Sequence, residues 1–304
     1  MPLLGLGLYS GHRGSRWLRN RIKIFKQFVI LSLRAQTNKN FILWVSVRNQ
    51  DVSDPQIKEL KAYLANEEFK SVFTYAGCAF WDDKYPDDEA RERLIMAVHG
   101  SMGELYNVMG DAETILMTIQ PSDDCYASNV VADLQSAFAL HPDVQAAGFK
   151  KGYVMNYLTG ELAEWNPKTN PPFFTIKFPR EIFTDPMKHL DYTGPYKSHE
   201  YVGDKLEYES VDERCFLVGT HADNISTVFD HPYVGKRFEG AERDEMLEQF
   251  GLGEVKRLII PFSLGKLILN KLPYGVKRKL RYLAGEKKWV LRPVFALIYH
   301  LLRA

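Results

Sequence analysis

Ser122-Asp123-Asp124 follow an apolar run, Thr114 to Ile119, with the composition of a β-strand. Adjacent carboxylates at an exposed strand end repel each other and favour a counter-cation. Mg²⁺ and Mn²⁺ take oxygen ligands and are commonly completed by substrate phosphates. Asp123 and Asp124 are therefore candidate ligands for an ion that would neutralise a departing diphosphate. The same pair would serve as a helix N-cap with solvated charge. His221, in Gly219-Thr220-His221-Ala222-Asp223-Asn224, follows a second short apolar strand. Its imidazole suits a third metal ligand or a phosphate donor, although a structural histidine carries the same signature. Asn49-Gln50-Asp51 follow the run Phe41 to Val47. They either bond the base and ribose of a nucleotide or make an ordinary strand-to-helix turn.

The elements that must position these groups alternate. Trp17 to Arg34 reads as an amphipathic helix, with Leu18, Ile22, Phe25, Val29 and Leu33 at helical spacing and Arg19, Arg21, Lys23 and Lys26 between them. Pro2 to Leu8, Phe41 to Val47, Lys70 to Tyr75 and Thr114 to Ile119 read as strands. Asp54 and Pro55 are an N-cap and first helical residue for a helix through Leu64. Asp87 to Met109 and Asn129 to Leu140 are helical stretches. This order predicts an α/β fold: a Rossmann-like, mostly parallel sheet flanked by helices, with ligands beyond the carboxyl ends of its strands. Later, Gly152 to Trp165 reads as a β-hairpin around Thr159-Gly160, and Phe173 to Phe178 and Phe216 to Gly219 as further strands.

Composition narrows the classes. The 304 residues are 45% hydrophobic and 25% charged, which is globular and excludes disordered and collagen-like chains. Three widely spaced cysteines, Cys78, Cys125 and Cys215, make neither a disulfide framework nor a zinc site and fit a reducing compartment. Leu3 to Leu8 has no basic segment before it and reads as a buried strand rather than a leader.

The net charge of +1 conceals an asymmetry. Residues 254–304 carry 12 Lys/Arg against 2 Asp/Glu, so a tail of +10 follows a body of −9. Apolar residues alternate with Lys and Arg through this tail, and Tyr282, Trp289 and Tyr299 add interfacial rings. That pattern predicts amphipathic helices lying on a membrane surface. Nucleic acid is not expected as a partner, since the tail is too apolar for a solvated basic arm and no recognition motif is present. The corresponding division is 1–235 for a catalytic domain and 236–304 for the tail.

The segments occur in a recognisable order. Trp17-Leu18-Arg19-Asn20-Arg21-Ile22 leads through Ser32-Leu33-Arg34-Ala35-Gln36-Thr37 to Asn40-Phe41-Ile42-Leu43-Trp44. Ser122-Asp123-Asp124 comes next, and then Thr220-His221-Ala222-Asp223-Asn224-Ile225-Ser226-Thr227. Over about Trp17 to Thr227 this resembles bacterial GT-A-type glycosyltransferases, especially the group labelled rhamnosyl transferases. The Asp pair is similar to their metal-binding DxD-type motif. The Asp that usually stands two residues before the pair is Pro121 here.

The resemblance implies a GT-A-like fold and a nucleoside diphosphate sugar donor (a UDP- or dTDP-sugar). It also implies Mn²⁺ or Mg²⁺ at Asp123, Asp124 and His221. Asn49, Asp51, Arg93, Ser122 and Asn224 form the candidate donor-binding set. An inverting reaction needs a carboxylate to deprotonate the acceptor. Glu200, assisted by His199, is the candidate base, with Asp191 and Asp204 as alternatives. A retaining enzyme would not need one. The acceptor expected is a glycan or lipid-linked sugar, and the chain is expected in the cytoplasm, peripheral to the inner face of a membrane. The alternative is a non-catalytic GT-A-like binding or scaffold subunit on the membrane, which Pro121 keeps open. A metal-dependent phosphodiesterase would need more clustered His and Asp ligands.

Overall fold

The computed structural model describes residues 14–77, 96, 99–193, 202–211, 213–221 and 227–255. The expected first strand, Arg93, His199, Glu200, Asn224 and nearly all of the basic tail lie outside the described residues.

The first helix runs Gly14–Ile24, passes through a π-helical turn at Phe25–Val29, and resumes at Ile30–Ala35. It is buried on two sides. Leu18, Ile22, Phe25, Val29 and Leu33, the line expected from periodicity, enter a core with Leu43, Val45, Ile57, Leu60 and Phe73. Ile24 and Phe28 enter a different core with Tyr157, Val154 and Phe216. Each large apolar side chain so buried contributes about 1.5–3 kcal/mol. The π turn lets one helix serve both cores: Ile30 N–H reaches back to the Phe25 carbonyl, which inserts a residue and rotates the next helical turn.

Strand β1 (Ile42–Arg48) pairs in parallel with β2 (Lys70–Gly77). Between them the helix Pro55–Leu64 starts as expected, with the Asp54 carboxylate accepting from Gln56 N–H at 2.8 Å. A helix at Met102–Met109 precedes β3 (Thr114–Thr118). Then come β4 (Cys125–Tyr126), the helix Val130–Leu140, β5 (Ala146–Phe149) and the hairpin of β6 (Gly152–Asn156) and β7 (Leu162–Trp165). The hairpin turns through Gly160 at φ +79°, a conformation glycine adopts without a Cβ penalty. Strands β8 (Phe174–Pro179), β9 (Tyr208–Val211), β10 (Phe216–Thr220) and β11 (Val234–Phe238) complete the set, and the helix Gly240–Glu248 comes last.

The α/β class is as expected, with sheets flanked by helices. The single, mostly parallel sheet is corrected. The described strands form a pair β1-β2, a five-stranded sheet β11-β7-β6-β10-β4 and a four-stranded sheet β3-β8-β5-β9. Three of their pairings are parallel and five antiparallel. Strand β3 is antiparallel to β8, so Asp123 and Asp124 do not follow a parallel strand.

The division at 235/236 is also corrected, because it cuts through β11, which is paired to β7. Beyond it, Leu247, Phe250 and Leu252 are fully buried in the core of the five-stranded sheet. Gly251 turns at φ +68° against Ala35 and Leu31, where a Cβ would collide with the first helix. Among the described residues no helix is long and apolar enough to cross a membrane.

Candidate functional site

The parallel neighbours β6 and β10 end side by side, at Asn156 and Thr220. Tyr157 N–H donates to Thr220 C=O at 2.9 Å and extends the ladder by one residue. Carboxyl ends of adjacent parallel strands are where α/β sheets bind ligands. The segment Gln120–Tyr126 lies across this edge. Its turn is held from within: Gln120 Nε2 donates to the carbonyls of Pro121 and Asp124, both at 2.8 Å, and Tyr126 OH donates to Ile119 C=O at 2.7 Å. Tyr157 OH donates to Asp123 C=O at 2.8 Å, while the Tyr157 ring stacks on Phe28 of the π turn with centroids 3.5 Å apart. Gly219 completes the fit. A Cβ there would overlap the Asp123 carbonyl oxygen and the Tyr157 ring.

This scaffold brings Asp123, Asp124 and His221 together and adds Arg21. Asp123 Oδ2 accepts from Arg21 Nη1 at 2.6 Å and faces His221 Nε2 at 3.1 Å. Asp124 Oδ1 instead accepts from Gly219 N–H at 2.8 Å. Burial pushes the Asp123 carboxyl up, but the Arg21 charge and the His221 hydrogen bond outweigh it and hold the group well below the usual carboxylate range. Asp124 moves the other way: burial, and then the adjacent Asp123 charge, raise it well above its ordinary value. Cys125, beside this pair, is pushed up to about 12 by burial, so it is an inert thiol.

The arrangement does not fit a divalent ion held jointly by Asp123, Asp124 and His221. An ionised carboxylate only accepts, so His221 Nε2 must carry a proton to bond Asp123 and has no lone pair for a metal. The counter-charge at Asp123 Oδ2 is already a guanidinium. Among the described residues no group of three His, Cys, Asp or Glu side chains is placed to hold a metal ion.

The other expected residues divide. Ser122 is buried within the turn. Asn49 is exposed at the end of β1. Asp51 does not present a carboxylate to a ribose as expected: it is buried, and its Oδ2 accepts from Arg48 Nε at 2.6 Å. Asp191 and Asp204, the alternative bases, are exposed on the helices Pro186–Thr193 and Val202–Lys205.

Sequence reasoning misses Arg21 and Tyr157. The first apolar line leaves Arg21 on a polar face, yet it stands three residues before Ile24 and seven before Phe28, so it belongs to the second apolar line. Gln36 acquires a physical role. Its Nε2 donates to Ala127 C=O at 2.7 Å and its Oε1 accepts from Val131 N–H at 3.1 Å, which ties the helix end to the segment just after the Asp pair.

No known protein family and no curated protein matches this chain. Among solved structures it is similar to a crystal structure of residues 1–349 of S. aureus TarS in complex with UDP. The identity is 13%, the match covers 91% of this chain and 72% of that one, and the TM-score is 0.34. A likeness at that level assigns neither substrate nor residues.

Proposed function

We propose that the chain is a glycosyltransferase that moves a sugar from a nucleoside diphosphate sugar to a glycan or lipid-linked acceptor. One observation carries this reading: Arg21, Asp123, Asp124 and His221 converge at the carboxyl ends of the parallel strands β6 and β10. The order of segments from Trp17 to Thr227 that resembles GT-A enzymes is the second support.

A site for a diphosphate must not repel it. Two unit charges 4 Å apart interact with about 4 kcal/mol at an effective dielectric of 20. Two bare carboxylates would therefore oppose an incoming diphosphate strongly. Here Asp123 is balanced by Arg21, and Asp124 is held towards its neutral form. In the proposed reaction this cluster orients the donor, with His221 holding the Asp123 carboxylate in place. A carboxylate in the segment after Thr193, Glu200 with His199 beside it, takes the acceptor proton. Asn49, exposed at the end of β1, and Ser122, Arg93 and Asn224 are the proposed donor contacts. The basic tail from Glu254 onward would hold the enzyme against the inner face of a membrane, where a lipid-linked acceptor lies.

The test is thermal stability against UDP, dTDP and GDP with CMP as control, in buffer containing Mn²⁺ so that no requirement is left unmet. Ligand at one hundred times its dissociation constant stabilises by about 2.7 kcal/mol. A shift with one diphosphate, lost in Asp123→Asn, is the expected result and names the donor class. No shift with any nucleotide would favour the non-catalytic binding subunit, which the locked Arg21–Asp123 pair would also suit.

A further inference from the structure

We infer that Arg21 stands in for a divalent cation at this site, so that the chain engages a nucleoside diphosphate without Mg²⁺ or Mn²⁺. This rests on the nucleoside diphosphate reading of the same site, and it departs from the metal that the Asp pair first suggested.

The geometry makes the substitution specific. Arg21 places a permanent positive charge 2.6 Å from Asp123 Oδ2, within the space a metal ligated by that oxygen would need. The guanidinium is not a surface group that could swing aside. Its side chain is 5% exposed and shares a helix line with Ile24 and Phe28, which are buried against Tyr157 and the five-stranded sheet. The guanidinium carbon also lies 5.3 Å from the Trp17 ring centroid. Moving Arg21 off Asp123 would leave a largely buried guanidinium without its counter-charge, a costly change.

One oxygen of Asp124 and the Nε2 of His221 are also engaged. Asp124 Oδ1 is bound to the backbone of Gly219, and that backbone is wedged against Asp123 and Tyr157, so it cannot follow a rotating carboxylate. The Nε2 of His221 donates to the same oxygen that Arg21 bridges. A tethered guanidinium supplies local charge as an ion would, but it neither dissociates nor responds to a chelator.

The experiment compares the purified chain in EDTA and in Mn²⁺. Calorimetric titration with UDP, dTDP and GDP gives the affinity in each buffer, and electron paramagnetic resonance of free Mn²⁺ counts the metal bound. The expected result for the wild type is a dissociation constant that differs by less than about twofold between buffers. Bound Mn²⁺ should be no greater than in Asp123→Asn. Arg21→Met should acquire a bound Mn²⁺ that raises its melting temperature, and Arg21→Met/Asp123→Asn should lose both.

Nucleotide binding that appears only with Mn²⁺ would overturn the inference, as would wild-type Mn²⁺ binding that Asp123→Asn abolishes. Should Arg21→Met fail to fold, the wild-type metal count decides alone. If no nucleotide binds in either buffer, the proposed function fails, while the metal count still decides the role of Arg21.

Discussion

Of three Arg–Asp pairs of equal length, 2.6 Å, among the described residues, two sit in contrasting settings. Arg48 and Asp51 are three residues apart at the end of β1 and meet inside one turn. Arg21 and Asp123 come from a helix near the start and a turn in the middle, and the same carboxylate also bonds His221, 98 residues further on. The first pair forms wherever that turn forms. The second exists only when a helix, the turn and two strand ends are all in place. Equal geometry therefore carries unequal consequences: one pair adjusts a turn, and the other reports and enforces the assembly of the site.

The largest effect should come from breaking the long-range pair on one side. Arg21→Met leaves Asp123 enclosed without its counter-charge, a change that costs about 3–5 kcal/mol in buried pairs. Urea unfolding of Arg21→Met, Asp123→Asn and the double variant should show the double variant recovering much of that loss, because it removes both charges. A loss below about 1 kcal/mol in Arg21→Met would mean that the pair behaves like a surface bridge, and the contrast with Arg48–Asp51 would disappear.

Histidines sharpen the comparison. His221 faces a carboxylate, whereas His189 is buried against Phe178, with ring centroids 4.4 Å apart, and near Phe183. Burial lowers His189 to about 4, against an ordinary value of 6.5. The unfolded chain therefore binds this proton at a pH where the folded chain does not, so stability rises with pH across that window. Going down from pH 6.5 towards 4, His189 should withdraw up to roughly 3 kcal/mol, with no further loss below the folded value. Unfolding free energies measured through this window should fall less steeply in His189→Gln. An unchanged slope would show that other groups set the acid limit.

Glycines separate site from scaffold on a smaller scale. Gly219→Ala forces a methyl group onto the Asp123 carbonyl and the Tyr157 ring, and overpacking of this kind costs about 1–3 kcal/mol. It should also abolish nucleotide-dependent stabilisation by shifting Asp123 and Asp124. Gly103→Ala, in the helix Met102–Met109 with open space around the new methyl, should gain about 0.5–1 kcal/mol and leave nucleotide binding alone. Thermal melts of both variants with and without UDP make the test.

Much of this architecture is legible in the residues because local physics decides it. The Asp54-Pro55 start, the turn at Gly160 and the apolar line from Leu18 to Leu33 each follow from spacing or backbone preference. How the strands divide among sheets is not legible, since pairing β10 to β6 and β11 to β7 depends on contacts between distant segments. The site shows the same split. Asp123, Asp124 and His221 follow apolar strands and announce themselves by type. Arg21 is concealed by a periodicity that accounts for one face of its helix, and only the Ile24–Phe28 line shows that the other face is buried as well. Asp51 misleads for the opposite reason: its partner is three residues away, and a carboxylate that looks available is already engaged.

That engagement yields the smallest expected effect and the finest test of the contrast. If the end of β1 contacts the donor, two residues there should respond differently. Asn49 is exposed, so Asn49→Ala should weaken nucleotide binding, by about fivefold if it loses one neutral hydrogen bond worth 1 kcal/mol. Asp51→Asn removes the charge of a carboxylate turned onto Arg48 but leaves an amide oxygen that can still accept from it, so stability should fall by about 1 kcal/mol, the difference between a charged and a neutral hydrogen bond. Affinity should not change, because the group lost faces its neighbour rather than the ligand. Calorimetry on the two single variants distinguishes these outcomes. A fall in affinity confined to Asp51→Asn would reverse the assignment and make the Arg48 bond a resting contact that the nucleotide displaces. The local pair would then be the one that moves during binding, and the distant pair the one that stays.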